Sequence, residues 1–154
     1  MKLLVAPNSF KGTLTPSQAA LAIKKGVEQK DGNIECLLRP VSDGGDGLIE
    51  IISNLWRGKI INITVEGPLK KRVGARYFFS SGGIAVIEMA EASGIKYLKD
   101  KELDCMNAST FGTGQIIRDA LRRGAKEIII GLGGSASNDG GVGCAQGFGF
   151  KFTD

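Results

Sequence analysis

The feature that most constrains this chain is a repeated alternation: a short apolar run cut off by Gly or Pro, a loop of small polar residues, then a helix signal. Runs at residues 2–6, 34–38 and 127–131 have the length and continuity of strands buried on both faces. After the first, Thr15-Pro16-Ser17-Gln18 is a capping box with proline at the first helical position. It opens an amphipathic helix (Ala19, Ala20, Ile23, Val27) that stops at Asp31-Gly32. After the second, Leu48, Ile51, Ile52 and Leu55 recur at helical spacing behind Asp46, the expected N-cap. A third helix is predicted over residues 113–123, with Ile116, Ile117, Ala120 and Leu121 on one face and Gly124 as its stop. Residues 60–65, 72–79 and 84–89 read as strands of a mixed or antiparallel extension, separated by turn signals at Gly67-Pro68 and Ser81-Gly82-Gly83. The expected organisation is therefore α/β units over 1–58 and 107–154 around a mixed strand region at 59–106. A last strand is predicted at Phe148-Gly149-Phe150-Lys151-Phe152, whose apolar surface and unpaired edge favour self-association.

Composition excludes several function classes. With 154 residues, 42% hydrophobic and 23% charged, the chain has the make-up of about one soluble globular domain. Its formal charge is +4, but the basic residues are dispersed in pairs such as Lys24-Lys25 and Arg122-Arg123 with acids between them. That argues against a nucleic-acid partner and suits small anionic substrates. Cys36, Cys105 and Cys144 are odd in number and widely spaced, so neither a disulfide framework nor a zinc site is indicated, and a reducing cytoplasm is the expected location. No apolar run approaches the ~20 residues of a membrane span, and the run before Pro7 is too short for a signal-peptide core. The sequence contains no histidine. That removes the commonest general base and every Ser-His or Cys-His nucleophile, leaving Asp, Glu, Lys and backbone dipoles to carry any chemistry.

Three loops occupy the same place in the pattern: Asn8-Ser9-Phe10-Lys11-Gly12, Ser42-Asp43-Gly44-Gly45-Asp46-Gly47, and the stretch from Gly133 to Gly143. If their strands are parallel in one sheet, all three loops emerge at its carboxyl edge and gather Lys11, Asp43, Asp46 and Asp139 there. These are the residue types of phosphoryl chemistry. Glycine-rich backbone lets an anion reach N–H groups, carboxylates hold magnesium or accept a hydroxyl proton, and a lysine neutralises the moving phosphoryl group. The run Gly133-Gly134-Ser135-Ala136-Ser137-Asn138-Asp139-Gly140-Gly141 gives up so much side chain that a ligand at its backbone is the favoured reading over a plain loop. It is neither a Walker A motif nor a dinucleotide fingerprint. Ser42-Asp43-Gly44-Gly45 is read equally well as an Asx-turn, and capping explains Ser109-Thr110-Phe111-Gly112-Thr113-Gly114. Glu88 and Glu91 flank Met89-Ala90 in an apolar stretch; a buried acid there would serve the site, but a solvent position at a strand end is the favoured reading.

Taken in order, Ala6-Pro7-Asn8-Ser9-Phe10-Lys11-Gly12, Ser42-Asp43-Gly44-Gly45-Asp46-Gly47, Glu88-Met89-Ala90, Thr113-Gly114 and the long run from Gly133 to Gly141 resemble the glycerate kinase family of the bacterial glyoxylate and glucarate pathways. The resemblance implies phosphorylation of D-glycerate with ATP and magnesium, usually at the 2-hydroxyl. It also implies an open, mainly parallel Rossmann-like sheet with helices on both faces and a mixed extension, as part of a two-domain kinase. Family chains are more than twice as long, so the match is to an N-terminal portion. Asn8 stands where the family usually carries aspartate. On this reading Lys11 sits on the transferring phosphoryl group, Asp43 acts as base or magnesium ligand with Asp46 beside it, and Asp139 completes the catalytic set. Asn8, Ser9, Gly44, Gly45, Asp46, Gly133, Gly134, Ser135, Ser137, Asn138, Gly140 and Gly141 then bind phosphate or substrate. Two other readings stay open: a non-catalytic anion-binding module, and a fragment with no activity of its own.

Overall fold

The computed structural model describes residues 1–153. Two strands, β1 (Lys2–Val5) and β2 (Glu35–Leu38), pair in parallel and are joined by α1 (Pro16–Lys30). A second sheet has the order β3 (Gly58–Glu66), β4 (Arg72–Ser80), β5 (Ile84–Glu88), β6 (Glu127–Gly131). The first three strands of this sheet run antiparallel to their neighbours, whereas β6 joins β5 in parallel. The remaining helices are α2 (Leu48–Leu55), α3 (Ala90–Ser93), α4 (Phe111–Arg122) and α5 (Val142–Phe148). The architecture is α/β, with one parallel and one mixed sheet.

Strand alternation distributes the core. Ala75, Tyr77, Ala85 and Ile87 point to one face of the mixed sheet, where Ile116 and Ala120 of α4 cover them with Ile61 and Val65. Phe78 and Val86, one residue out of phase, point to the other face and pack on Ile49 of α2. Complete burial of side chains of this size contributes about 1.5–3 kcal/mol each. The buried Tyr77 donates its hydroxyl to Asp119 Oδ2 at 2.8 Å, and Asp119 also accepts from Arg123 Nε at 2.7 Å. The α1 capping box forms as expected: Gln18 N–H donates to Thr15 Oγ1, and Thr15 N–H to Gln18 Oε1. The α4 helix begins at Phe111, two residues before the predicted start, and Gly124 follows its end at φ +89°.

Four expectations need correction. First, β1 and β2 do not share a sheet with β6; β6 extends the strand region instead, because its parallel partner is β5. Secondly, the apolar runs are not buried on both faces, since Leu4, Leu37, Ile129 and Ile130 are exposed. Thirdly, Asp46 is not the N-cap of α2. Gly47, at φ +100°, takes that position without a side-chain cap bond. Finally, residues 148–152 form no strand: Phe148 closes α5 and Gly149, at φ +127°, turns the chain away. The physical reason lies in small residues that read as loop. Beta-carbons at Gly143 and Gly147 of α5 would collide with Ser109 and Phe111, and one at Gly114 of α4 with the Cys144 carbonyl, so glycine is what lets the two helices approach.

These contacts predict opposite outcomes for the same chemical change at two helical glycines. A Cβ at Gly26 in α1 meets nothing within 4 Å. Gly26→Ala is expected to raise stability by about 0.5–1 kcal/mol. Gly114→Ala is expected to lower it by about 1–3 kcal/mol through overpacking at the helix crossing, with both values read from urea unfolding.

Candidate active site

What approaches the glycine-rich loop after β6 is another loop of the same chain. Gly133 N–H donates to the Gly44 carbonyl at 3.1 Å. A Cβ at Gly131 would strike the Gly44 carbonyl oxygen, and one at Gly133 would stand 2.6 Å from Gly45 Cα. The loop is also stitched to the end of β5: Met89 N–H donates to Gly131 O, Ile95 N–H to Gly134 O and Ala136 N–H to Ser93 O, each at 2.9 Å. Gly131 and Gly133 are therefore explained by packing of backbone on backbone. Gly140 and Gly141 differ, having positive φ (+59° and +81°) and no atom within 4 Å of a built Cβ. They are the open part of the stretch, although the Gly141 N–H is taken by Asp139 Oδ1 at 3.1 Å.

Beside this lock lies a cleft of about 330 Å³, bordered by the loops after β1 and β2. Ser9, Lys11 and Thr15 line it from the β1 side, and Asp46 and Glu50 from the start of α2. The far wall carries Arg76, Glu88, Glu91 and Lys96. Glu88 and Glu91 are buried, at 2% and 7% exposure, not at a solvent position. Glu88 Oε1 accepts from Ile49 N–H at 2.7 Å and so caps α2 from a different element, in place of Asp46. Burial pushes the Glu88 carboxyl up, the Ile49 amide opposes this, and the charges of Glu91 and Asp46 add to it. Glu91 Oε1 accepts from Lys96 Nζ at 2.8 Å and lies 3.7 Å from Arg76 Nε. Burial alone would lower the Lys96 pKa, but Glu91 outweighs it and raises it.

Asp43 is exposed at the rim. Gly45 N–H donates to its Oδ1 at 3.1 Å, and Gly44 N–H donates to Ser42 Oγ at 3.1 Å, so the turn geometry is real. The Gly45 amide, then the Asn8 side chain, hold the Asp43 carboxyl below the usual aspartate range, with the Lys11 charge adding to them. Asn8, Lys11 and Asp43 are thus brought together. Asp139 is elsewhere. Its carboxylate accepts from Thr110 N–H at 2.8 Å, from the Thr110 hydroxyl at 2.9 Å, and from Gly141 and Gly143 N–H at 3.1 and 3.2 Å. Burial would raise the pKa of Asp139, but these donors outweigh it and lower it. Asp139 ties the glycine loop to the start of α4 and lines a second cavity of about 370 Å³ with Met89, Ile130, Leu132, Ser135 and Ser137. Asn138 lines this cavity too, and the Ser135 and Ser137 hydroxyls bond each other at 2.9 Å. Among the described residues, no group of three or more Asp, Glu, Cys or His side chains forms a protein-only metal cage.

Residues 3–154 match the glycerate kinase family over almost the whole chain. The chain belongs to the glycerate kinase family. It is 44% identical over 150 residues to a glycerate kinase of Halalkalibacterium halodurans, covering 97% of this chain and 40% of that protein. It is 41% identical over 155 residues to the glycerate 2-kinase of Escherichia coli K12, covering 100% of this chain and 41% of that one. A solved structure from Salmonella typhimurium LT2, assigned as a glycerate kinase 2, superposes with a TM-score of 0.73 at 40% identity over 96% of this chain and 40% of that chain. The chain thus spans about 40% of the length of the glycerate kinases it matches. Within that portion, sequence reasoning found the three loops but not the far wall. Glu88 ends an apolar run at a strand's carboxyl edge, the same signal that drew attention to the loops. Arg76 and Lys96 carried no such signal, because strand pairing and the fold of residues 89–97 bring them in.

Two measurements test these placements. Asp139→Asn is expected to destabilise the fold by about 2 kcal/mol or more, as charged-group hydrogen bonds are lost, whereas Asp43→Asn should shift it by less than about 0.5 kcal/mol. For Glu88 the folded pKa lies above the unfolded one, so folding favours the protonated form. Stability then falls as pH rises from the ordinary glutamate value of 4.5 through the folded value. Glu88→Gln, which still offers an oxygen to Ile49, is expected to flatten that fall in Tm measured from pH ~4 to ~7.

Proposed function

We propose that the chain forms part of the active site of an ATP-dependent kinase that phosphorylates D-glycerate, giving 2-phosphoglycerate. The observation that carries this reading is the meeting of Lys11 and Asp46 at one cleft, with Asp43 on the same loop as Asp46 and that loop locked through Gly44 and Gly45 onto Gly131 and Gly133, in a chain of the glycerate kinase family. Among the described residues no helix is long and apolar enough to cross a membrane, and the reading places the protein in the cytoplasm with glycerate and ATP as its small-molecule partners. The exposed Leu4, Leu37, Ile129 and Ile130 support association of isolated copies.

The roles follow from environment. Lys11, exposed on its loop, neutralises charge on the phosphoryl group in flight. Asp43 stays ionised, because its neighbours favour the charged form, and takes the hydroxyl proton late or holds a metal ion. Magnesium binds through one or two carboxylates together with substrate phosphates, so exposed Asp43 and Asp46 suit it without a protein-only cage. It would supply charge neutralisation at the phosphates. The backbone at Gly140, with no atom near a Cβ there, leaves room for phosphate oxygens, with Ser135 and Ser137 presenting hydroxyls on the same loop. Asp139 acts as a positioning residue, since its oxygens are occupied in holding that loop.

The test is ADP formation in a coupled assay with D-glycerate, ATP and magnesium on the full-length protein. Asp43→Asn is expected to lower kcat about a hundredfold or more, the scale of a lost general base, with Tm nearly unchanged. Near-normal turnover would return Asp43 to the role of a turn residue.

A further inference from the structure

We propose that Arg76 and Lys96, held side by side by the buried Glu91, bind the carboxylate of the hydroxy-acid substrate in the charged cleft. This rests on the reading above and adds where the acid sits and what selects it. Two cations from separate elements, β4 and the segment after α3, converge on one carboxylate oxygen, with Lys96 Nζ at 2.8 Å and Arg76 Nε at 3.7 Å. Glu91 neutralises one of them, and of the other acids nearby Glu88 is pushed toward its neutral form by burial while Asp46 comes only to 4.0 Å from Lys96. Lys96 is further anchored by its 5.6 Å approach to the Tyr97 ring, and the Tyr97 hydroxyl donates to the backbone carbonyls of Glu91 and Gly74.

The Arg76 guanidinium makes no hydrogen bond among the described residues, and 45% of its side chain is exposed, so its planar fork is available to an incoming carboxylate. Asp46 approaches Lys96 only to 4.0 Å and is half exposed, a contact too loose to consume the ammonium. Glu50 and Glu88 also line the cleft, and burial favours the neutral form of Glu88, which lessens its repulsion of an anion. A volume of about 330 Å³ is ample for a three-carbon acid. The second cavity, lined by Met89, Ile130 and Leu132 with serine hydroxyls, contains no cation and offers a carboxylate no counter-charge.

The experiment measures binding directly, by calorimetry of D-glycerate on the full-length protein, so that it does not depend on turnover. Wild type is expected to bind glycerate and to discriminate against glyceramide, its uncharged analogue. Lys96→Met and Arg76→Gln should each weaken glycerate binding about 30-fold, equivalent to ~2 kcal/mol, and abolish that discrimination. Arg76→Gln leaves the short Lys96–Glu91 pair in place, and circular dichroism confirms that each variant is folded. Glycerate affinities within threefold of wild type in folded Arg76→Gln, or no binding of glycerate by wild type, would overturn the inference. Binding with the expected losses but no ADP formation would instead sustain it and overturn the kinase reading.

Discussion

The site depends on one approach of backbone to backbone. The parallel pair β1–β2 and the mixed sheet β3–β6 have no strand pairing between them, yet Gly44 and Gly45 lie directly on Gly131 and Gly133. At such separations side chains are excluded and a single amide-to-carbonyl bond fixes the register. The contact involves no ionisable group, so the frame around the cleft keeps its shape while the charges that line it titrate.

Around that frame, the buried Glu88 and Glu91 and the half-buried Asp139 are each satisfied by a different kind of donor. Glu88 takes a helix-terminal amide, Glu91 an ammonium with a guanidinium nearby, and Asp139 a set of loop amides and a hydroxyl. An unpaired charge at buried Glu88 or Glu91 would cost several kcal/mol, and each has its donor in place, from α2 for Glu88 and from Lys96 five residues on for Glu91. Asp43 and Asp46, by contrast, remain exposed with capacity left for a ligand. The carboxylates that hold structure are at least partly buried, and those left for chemistry are exposed.

Local chemistry was legible in the sequence, and long-range partnership was not. The capping box at Thr15 and the turn between β4 and β5 are written within a few residues, so they could be read directly. The meeting of the Asp43 and Gly133 loops was also anticipated, but for a reason the structure replaces: the loops converge from two sheets, not along one edge. Helix α5 was missed because glycine disfavours a helix by about 1 kcal/mol per residue, and only packing on α4 repays that. Its Gly143 and Gly147 look like loop until the Phe111 backbone is seen against them. The far wall of the cleft was missed because Arg76 belongs to an ordinary strand alternation and Lys96 to a short turn, and pairing alone brings them together.

The bond from Glu88 to Ile49 carries a consequence for the helix it caps. The same carboxyl closes the cleft and terminates α2, so its protonation state is shared between a ligand and a helix end. An anion seated beside it would further favour the protonated carboxyl, and the amide of Ile49 would then face a weaker acceptor. Occupancy of the cleft would thereby bear on the mooring of α2 against Phe78 and Val86, through a side chain that belongs to neither the ligand nor the helix.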